Sequence, residues 1–244
     1  MSGEDGYFDE PVAARYDESS SEMFSPELVD PVVELLVELA GDGAALELAI
    51  GTGRIAVPLA QRGVPVHGIE LSQAMAARLR EKPEAEEIGV TIGSYTTAKV
   101  DGTFTVAYLV YNTIMNVTTQ AEQVATFRNA AAHLEPGGCF VVEVMVPDLQ
   151  RLPPGETSRP FDLSADHVGL DEYDVANQGL RSHHFSLVDG SWQYLTIPFR
   201  YVWPAELDLM AELAGMRLRD RWSDWNREPF TSESRKHVSV WEKR

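Results

Sequence analysis

The sequence predicts an α/β fold: a doubly wound, mostly parallel sheet with helices on both faces. Three observations carry that expectation. Short apolar runs alternate with helical patterns from about residue 45 to residue 146. Such alternation forces crossover connections, and crossovers make neighbouring strands parallel. A glycine-rich turn, Gly51-Thr52-Gly53, stands where the first apolar run meets the first of these helical patterns. Finally, 244 residues at 44% hydrophobic content are enough for one substantial core, and no Pro/Gly/Ser-rich linker divides the chain, so residues 1–244 read as a single domain.

Taken in order, residues 1–42 form a helical cap. Ser25-Pro26 opens a helix with Leu28, Val32, Leu35, Leu36 and Leu39 on one stripe and Gly41 past its end. Residues 43–146 are the core, with strands near 45–50, 64–69, 88–92, 103–110 and 139–146 and helices near 54–62, 72–82 and 119–133. A capping box, Thr119 with Glu122, announces the last helix. Residues 147–203 break the pattern. Pro147 to Pro160 is irregular, and two period-2 runs, Leu180 to Val188 and Trp192 to Val202, flank Asp189-Gly190, which signals an antiparallel β-hairpin insertion. Residues 204–244 supply a helix from Pro204 to Gly215 and a closing antiparallel pair, Met216 to Trp222 and His237 to Trp241.

The chemistry concentrates at the first strand. Ala45, Leu46, Leu48 and Ile50 would deliver Gly51 and Gly53 to its carboxyl end, where the missing Cβ atoms let backbone approach a ligand. Nineteen positions after Gly51 the second strand ends in Glu70, the spacing at which a carboxylate accepts both hydroxyls of an adenosine ribose. Gly51 to Ala56 also satisfies the dinucleotide pattern G-x-G-x-x-A, so an NAD(P)-dependent oxidoreductase is an alternative. Glu47 separates the two, because an acid beside the loop suits a cationic cofactor better than a pyrophosphate.

Glu47-Leu48-Ala49-Ile50-Gly51-Thr52-Gly53 resembles the first motif of the class I S-adenosylmethionine-dependent methyltransferases, with Ala49 in place of the first glycine. Glu70-Leu71-Ser72 with Met75 is similar to the second motif, and Leu134-Glu135-Pro136-Gly137-Gly138 to the turn into the fifth strand. The resemblance implies a Rossmann-like seven-stranded sheet with an antiparallel last strand. It implies S-adenosyl-L-methionine as cofactor and S-adenosyl-L-homocysteine as product. Glu70 would hold the ribose, and Leu71 and Met75 would border the adenine. Ser94 and Tyr95 stand where the family usually carries an adenine-reading aspartate, and Tyr111-Asn112 at the end of the fourth strand. Tyr16-Asp17 is similar to a pair that folds over the methionine end of the cofactor, and Arg54 opens the helix after the loop. The insertion resembles that of sugar N,N-dimethyltransferases and related natural-product enzymes, where it forms a lid or an oligomer surface. The implied activity is methyl transfer to a nitrogen or oxygen of a small molecule, and a catalytically silent cofactor-binding protein is a second alternative.

Charge narrows the partners. The net charge is −18, with 20 Lys plus Arg against 38 Asp plus Glu, and no basic cluster is present to neutralise phosphates. Nucleic acid is therefore not an expected partner. No apolar run approaches membrane length and the acidic first twenty residues do not read as a cationic, apolar signal peptide, so the expectation is a cytoplasmic protein without a membrane partner, acting as monomer or homodimer. No metal is expected, and the single Cys139 reads as packing. A sulfonium methyl is already activated, so alignment and desolvation carry the rate. Tyr16 and His184 are the candidate catalytic side chains. His183 and His184 are adjacent on a strand and must face opposite sides, and Arg200, Tyr201 and Trp203 are candidate walls of an acceptor cavity.

Overall fold

A computed structural model describes residues 7–244. Two short helices, α1 (Glu10–Ala13) and α2 (Tyr16–Ser19), lead through a 3₁₀ turn into α3 (Pro26–Ala40). The core follows as β1 (Ala45–Leu48), α4 (Ala56–Gln61), β2 (Val66–Glu70), α5 (Gln73–Arg80), β3 (Gly89–Ile92), β4 (Phe104–Leu109), α6 (Gln120–His133) and β5 (Leu134–Met145). Then come four antiparallel strands, β6 (Ser158–Leu163), β7 (His167–Asp174), β8 (Gly179–Val188) and β9 (Ser191–Arg200). The chain closes with α7 (Pro204–Leu213), β10 (Met216–Trp222) and β11 (Lys236–Lys243).

The main sheet has seven strands in the order β10-β11-β5-β4-β1-β2-β3, and β11 runs antiparallel to both its neighbours. The order reverses between β1 and β4, and the crevice outside the strand ends at such a switch point is where α/β sheets bind ligands. Both faces are covered, which is why β1 reads as a run of four buried residues rather than an alternation. One face packs Phe127, Phe140 and Trp241 as edge-to-face aromatics, and the other packs Val33, Leu36 and Leu59 from α3 and α4. The Thr119 hydroxyl accepts from the Glu122 N–H at 3.2 Å, closing the anticipated cap of α6. In β5 Gly138 leaves no room for a side chain, since a Cβ would lie 3.1 Å from the carbonyl oxygens of Phe104 and Thr105.

The insertion is larger than a hairpin. Asp189 and Gly190 do turn β8 into β9, both with positive φ (50° and 76°) as a tight two-residue turn requires. Two further strands, β6 and β7, complete a four-stranded sheet in the order β6-β7-β8-β9. Local signals hid them: β6 carries Pro160 and β7 carries Gly169, Asp171, Glu172 and Asp174, all poor strand formers. Tertiary context supplies the reason for two of these. Pro160 sits on the edge strand at a register shift, and Gly169 accommodates the Phe161 ring, whose Cε2 would meet a Cβ at 2.2 Å. The stretch read as irregular to residue 160 therefore becomes strand at residue 158.

Candidate cofactor and acceptor site

The turn after β1 is built from positive-φ residues, Ala49 (58°), Gly51 (58°) and Gly53 (84°). A Cβ on Gly53 would lie 2.3 Å from Leu79 Cδ1, so this glycine is required for packing α5 against the turn. Ala49 adopts a left-handed backbone that costs an L-residue about 1 to 2 kcal/mol. Glu70, at the end of β2 and only 6% exposed, fixes the turn from the neighbouring strand. Its carboxylate accepts from the Gly51 N–H and the Ser72 N–H, each at 2.8 Å. Met75 lies buried beneath the turn, its Cε 3.5 Å from where a Gly51 Cβ would stand, while Leu71 is exposed.

Glu47 lies within the core and accepts from the Tyr108 hydroxyl at 2.9 Å. Burial pushes its carboxyl up to about 8, against the opposing pull of the Tyr108 hydrogen bond and of Arg54. At neutral pH the acid is therefore mostly neutral. Burial thus opposes the negative charge expected beside the loop. Arg54 does not brace Glu47 or Glu70 by a direct contact; it reaches the Met23 carbonyl at 3.5 Å and stacks over the Tyr111 ring at 5.5 Å.

The N-terminal segment is strapped onto the turn. Asp17 accepts from the Thr52 hydroxyl at 2.6 Å and pairs with Lys82 at 2.6 Å, and Lys82 also donates to the Thr52 carbonyl at 2.7 Å. Thr52 and Lys82 escaped the sequence reading; the signal was the Tyr16-Asp17 pair, whose acid needed a partner. Tyr16 packs on Ala13, Ala74 and Met75, within electrostatic reach of Arg54, Tyr111, Asp17 and Glu70. Burial raises its phenol, so Tyr16 stays protonated and can donate a hydrogen bond but is no base.

Beyond β4 the backbone turns through two consecutive left-handed residues, Tyr111 (57°) and Asn112 (61°). Such strain persists only where surrounding contacts impose it. Here the Asn112 side chain accepts from the Met145 N–H at 2.7 Å, and the Asn112 N–H donates to the Glu143 carbonyl at 3.1 Å. The Glu143 carboxylate accepts from the Tyr111 N–H at 3.1 Å and pairs with Lys236 at 3.3 Å. Tyr111, Asn112, Glu143, Met145, Arg235 and Lys236 line a cleft of about 270 Å³ at the carboxyl ends of β4 and β5. Glu143 was missed, although an acid alone in the apolar run Cys139 to Val146 is a sequence signal of its own. A second cleft of similar volume lies behind the glycine turn between Phe24, Val29 and Val57.

Other candidates lie elsewhere. Ser94 bonds the Thr96 hydroxyl at 2.8 Å, and Tyr95 is buried with its hydroxyl on the Thr113 carbonyl at 3.0 Å. His183 and His184 sit on opposite faces of the second sheet. His183 contacts Tyr194 (2.7 Å) and Glu172; His184 contacts His167 (3.1 Å) and Ser182. Burial and the neighbouring His167 lower the His184 imidazole, and no contact joins it to the glycine turn. Arg200 lines neither of these two clefts. It is buried, bonded to Gln123 and, at 2.8 Å, to Glu206, tying the insertion to α6 and α7. Tyr201 is buried in the main core with Trp203 packed edge-on. No cluster of His, Cys, Asp or Glu suited to a metal exists among the described residues.

A seven-stranded sheet in this order, with a glycine turn, a strand-end acid and a switch-point crevice, defines a Rossmann-like enzyme that binds a nucleoside cofactor. Comparison with known proteins makes the class specific. Residues 45–138 match the model of the methyltransferase domain family. The chain is 37% identical to the CcbJ methyltransferase of Streptomyces caelestis, with 87% of this chain and 88% of that one covered at a TM-score of 0.79. It is 26% identical over 238 residues to the cypemycin N-terminal methyltransferase of a Streptomyces species, covering 93% of this chain and 97% of the relative. A sugar N-methyltransferase from a Streptoalloteichus species shares the fold at 18% identity and a TM-score of 0.65, over 92% of this chain and 90% of that one. The chain belongs to the S-adenosylmethionine-dependent methyltransferases.

Proposed function

We propose that this methyltransferase uses the carboxyl ends of β1, β2 and β4 to present S-adenosylmethionine to a nitrogen or oxygen of a small acceptor, a nitrogen being the favoured atom. The observation that carries the reading is the Glu70 carboxylate held beside two positive-φ glycines, with Tyr16 within electrostatic reach of both Glu70 and Tyr111. These residues fit the cofactor: a carboxylate accepts about four hydrogen bonds and suits ribose hydroxyls, and the glycine turn lets backbone approach the ligand closely. Once bound, the cofactor supplies a sulfonium methyl already activated for in-line displacement.

What the chain adds is placement. Glu70 orients the ribose, and Met75 with Leu71 borders the adenine. Tyr16 and Asp17 close the N-terminal strap over the reacting end and exclude water. Tyr111 and Asn112 fix the acceptor side. With Tyr16 held protonated and His184 bonded to His167 on the second sheet, no side-chain base is indispensable, and alignment supplies the rate. The cypemycin enzyme's N-terminal methylation supports an amine acceptor. In this reading residues 43–146 hold the cofactor and residues 147–203 cover the acceptor. The enzyme works in the cytoplasm as monomer or homodimer, and its charge of −18 disfavours nucleic acid. No described helix is long and apolar enough to cross a membrane.

Calorimetry with S-adenosylmethionine, S-adenosylhomocysteine and NAD(H) tests the cofactor. Binding of the first two and not of the third is expected; tight NAD(H) binding with no response to S-adenosylmethionine would overturn the proposal.

A further inference from the structure

We infer that the cleft between Tyr111, Asn112, Glu143, Met145, Arg235 and Lys236 is the acceptor subsite, and that it selects an amine carrying a carboxylate. The inference rests on the methyltransferase reading above and names the substrate class of that site. Its first support is position. The cleft opens at the carboxyl ends of β4 and β5, immediately beyond Tyr111, whose ring is covered by Arg54 from the glycine-turn side. Tyr111 thus lines the cleft and touches Arg54, the residue that follows the glycine turn.

The second support is charge. Two cations and one anion line this cleft on a chain whose net charge is −18. Among the described residues the Arg235 guanidinium makes no ion pair, and the Lys236 ammonium pairs with Glu143. Lys236 is the first residue of β11 and Arg235 immediately precedes it, and the Arg235 carbonyl, accepting from the Val146 N–H at 2.7 Å, pins this segment beside the end of β5. A locally cationic lining in an acidic protein concentrates an anion at that point.

The third support is the strained backbone. Tyr111 and Asn112 both hold left-handed conformations, kept in place by Glu143 and by the Asn112 side chain. The Glu143 carboxylate is 13% exposed: one oxygen accepts from the Tyr111 N–H and the other faces Lys236. An entering amine donates its N–H to the oxygen that faces Lys236, which turns the nitrogen lone pair towards the donor. The ligand's carboxylate takes over Lys236 and adds Arg235. Glu143 is here an orienting acceptor: the N–C bond forms as the S–C bond breaks, and the surplus proton of the resulting ammonium passes to water.

The test uses the full-length enzyme loaded with S-adenosylhomocysteine and matched dipeptide pairs with free amino termini, each as C-terminal carboxylate and as C-terminal amide. Binding is followed by NMR up to millimolar concentrations. The carboxylate member is expected to bind about tenfold or more tightly than its amide, as a charge-assisted contact implies. R235M and K236M should each erase most of that difference while the affinity for S-adenosylhomocysteine stays unchanged. E143Q should weaken both members of a pair alike. Equal binding of the two members, no binding of either, or a preference that survives R235M and K236M would overturn the inference. Failure to bind S-adenosylhomocysteine at all would instead defeat the cofactor assignment, so the two failures are distinguishable.

Discussion

Replacing Glu70 by glutamine should damage the fold and the cofactor site together, and the size of each loss follows from the hydrogen bonds it accepts from Gly51 and Ser72. The carboxylate, almost fully buried, accepts from the Gly51 N–H and the Ser72 N–H at 2.8 Å each. A glutamine amide has one oxygen, so in the Glu70→Gln variant it can satisfy one of these donors and must turn its own N–H₂ towards the other. A lost hydrogen bond to a charged group costs about 1.5 to 3 kcal/mol. For a chain of this size each kcal/mol moves the melting temperature by about 2 to 4 °C, so a fall of roughly 3 to 12 °C is expected. The same substitution removes a charged acceptor from the ribose hydroxyls, weakening S-adenosylhomocysteine by about 10- to 150-fold. Scanning calorimetry of the free protein and isothermal titration with the product measure both. An affinity within threefold of the parent would refute ribose recognition by Glu70, and an unchanged melting temperature would refute its role as the brace between the two strand ends.

Three further outcomes are expected. Gly53→Ala, forced into φ 84° with its Cβ against Leu79, should cost roughly 2 to 4 kcal/mol in urea unfolding, and wild-type stability would count against the packing argument. His237 is buried; its Nδ1 faces Ser239 Oγ, which already accepts from Arg221, and burial pushes its imidazole down to about 3. A depressed imidazole contributes stability that is present above the unfolded value near 6.5 and lost as pH falls towards 3, so moving from pH 7 to 5 should remove about 2 kcal/mol, and H237F should lack that slope. The His183→Ala and His184→Ala variants should each keep turnover within tenfold once an acceptor is found. A thousandfold fall in kcat for either, with folding and cofactor affinity unchanged, would install that histidine as a base.

The elements that were legible share one property: their signals are local. A periodic run, a capping box at Thr119, a Pro after Ser25, an Asp-Gly between alternating strands and a glycine turn after an apolar strand each specify backbone within a few residues. The strands β6 and β7 were not legible, because their stability comes from pairing with β8 and from Phe161 packing over Gly169, contacts that residue type alone does not announce.

By itself, then, the sequence determined the alternating core, the glycine turn and the acid placed to serve it, since element type and turn chemistry follow from periodicity and local residue signals. Only the tertiary structure decided what those residues experience. Glu47 is mostly neutral at pH 7 because folding strips it of water, Asp17 is a strap because Thr52 and Lys82 converge on it, and Glu143 faces a cleft because β11 returns antiparallel beside β5. Burial and long-range convergence are properties of the packed chain, and they set charge, strain and access where spacing along the sequence sets only position.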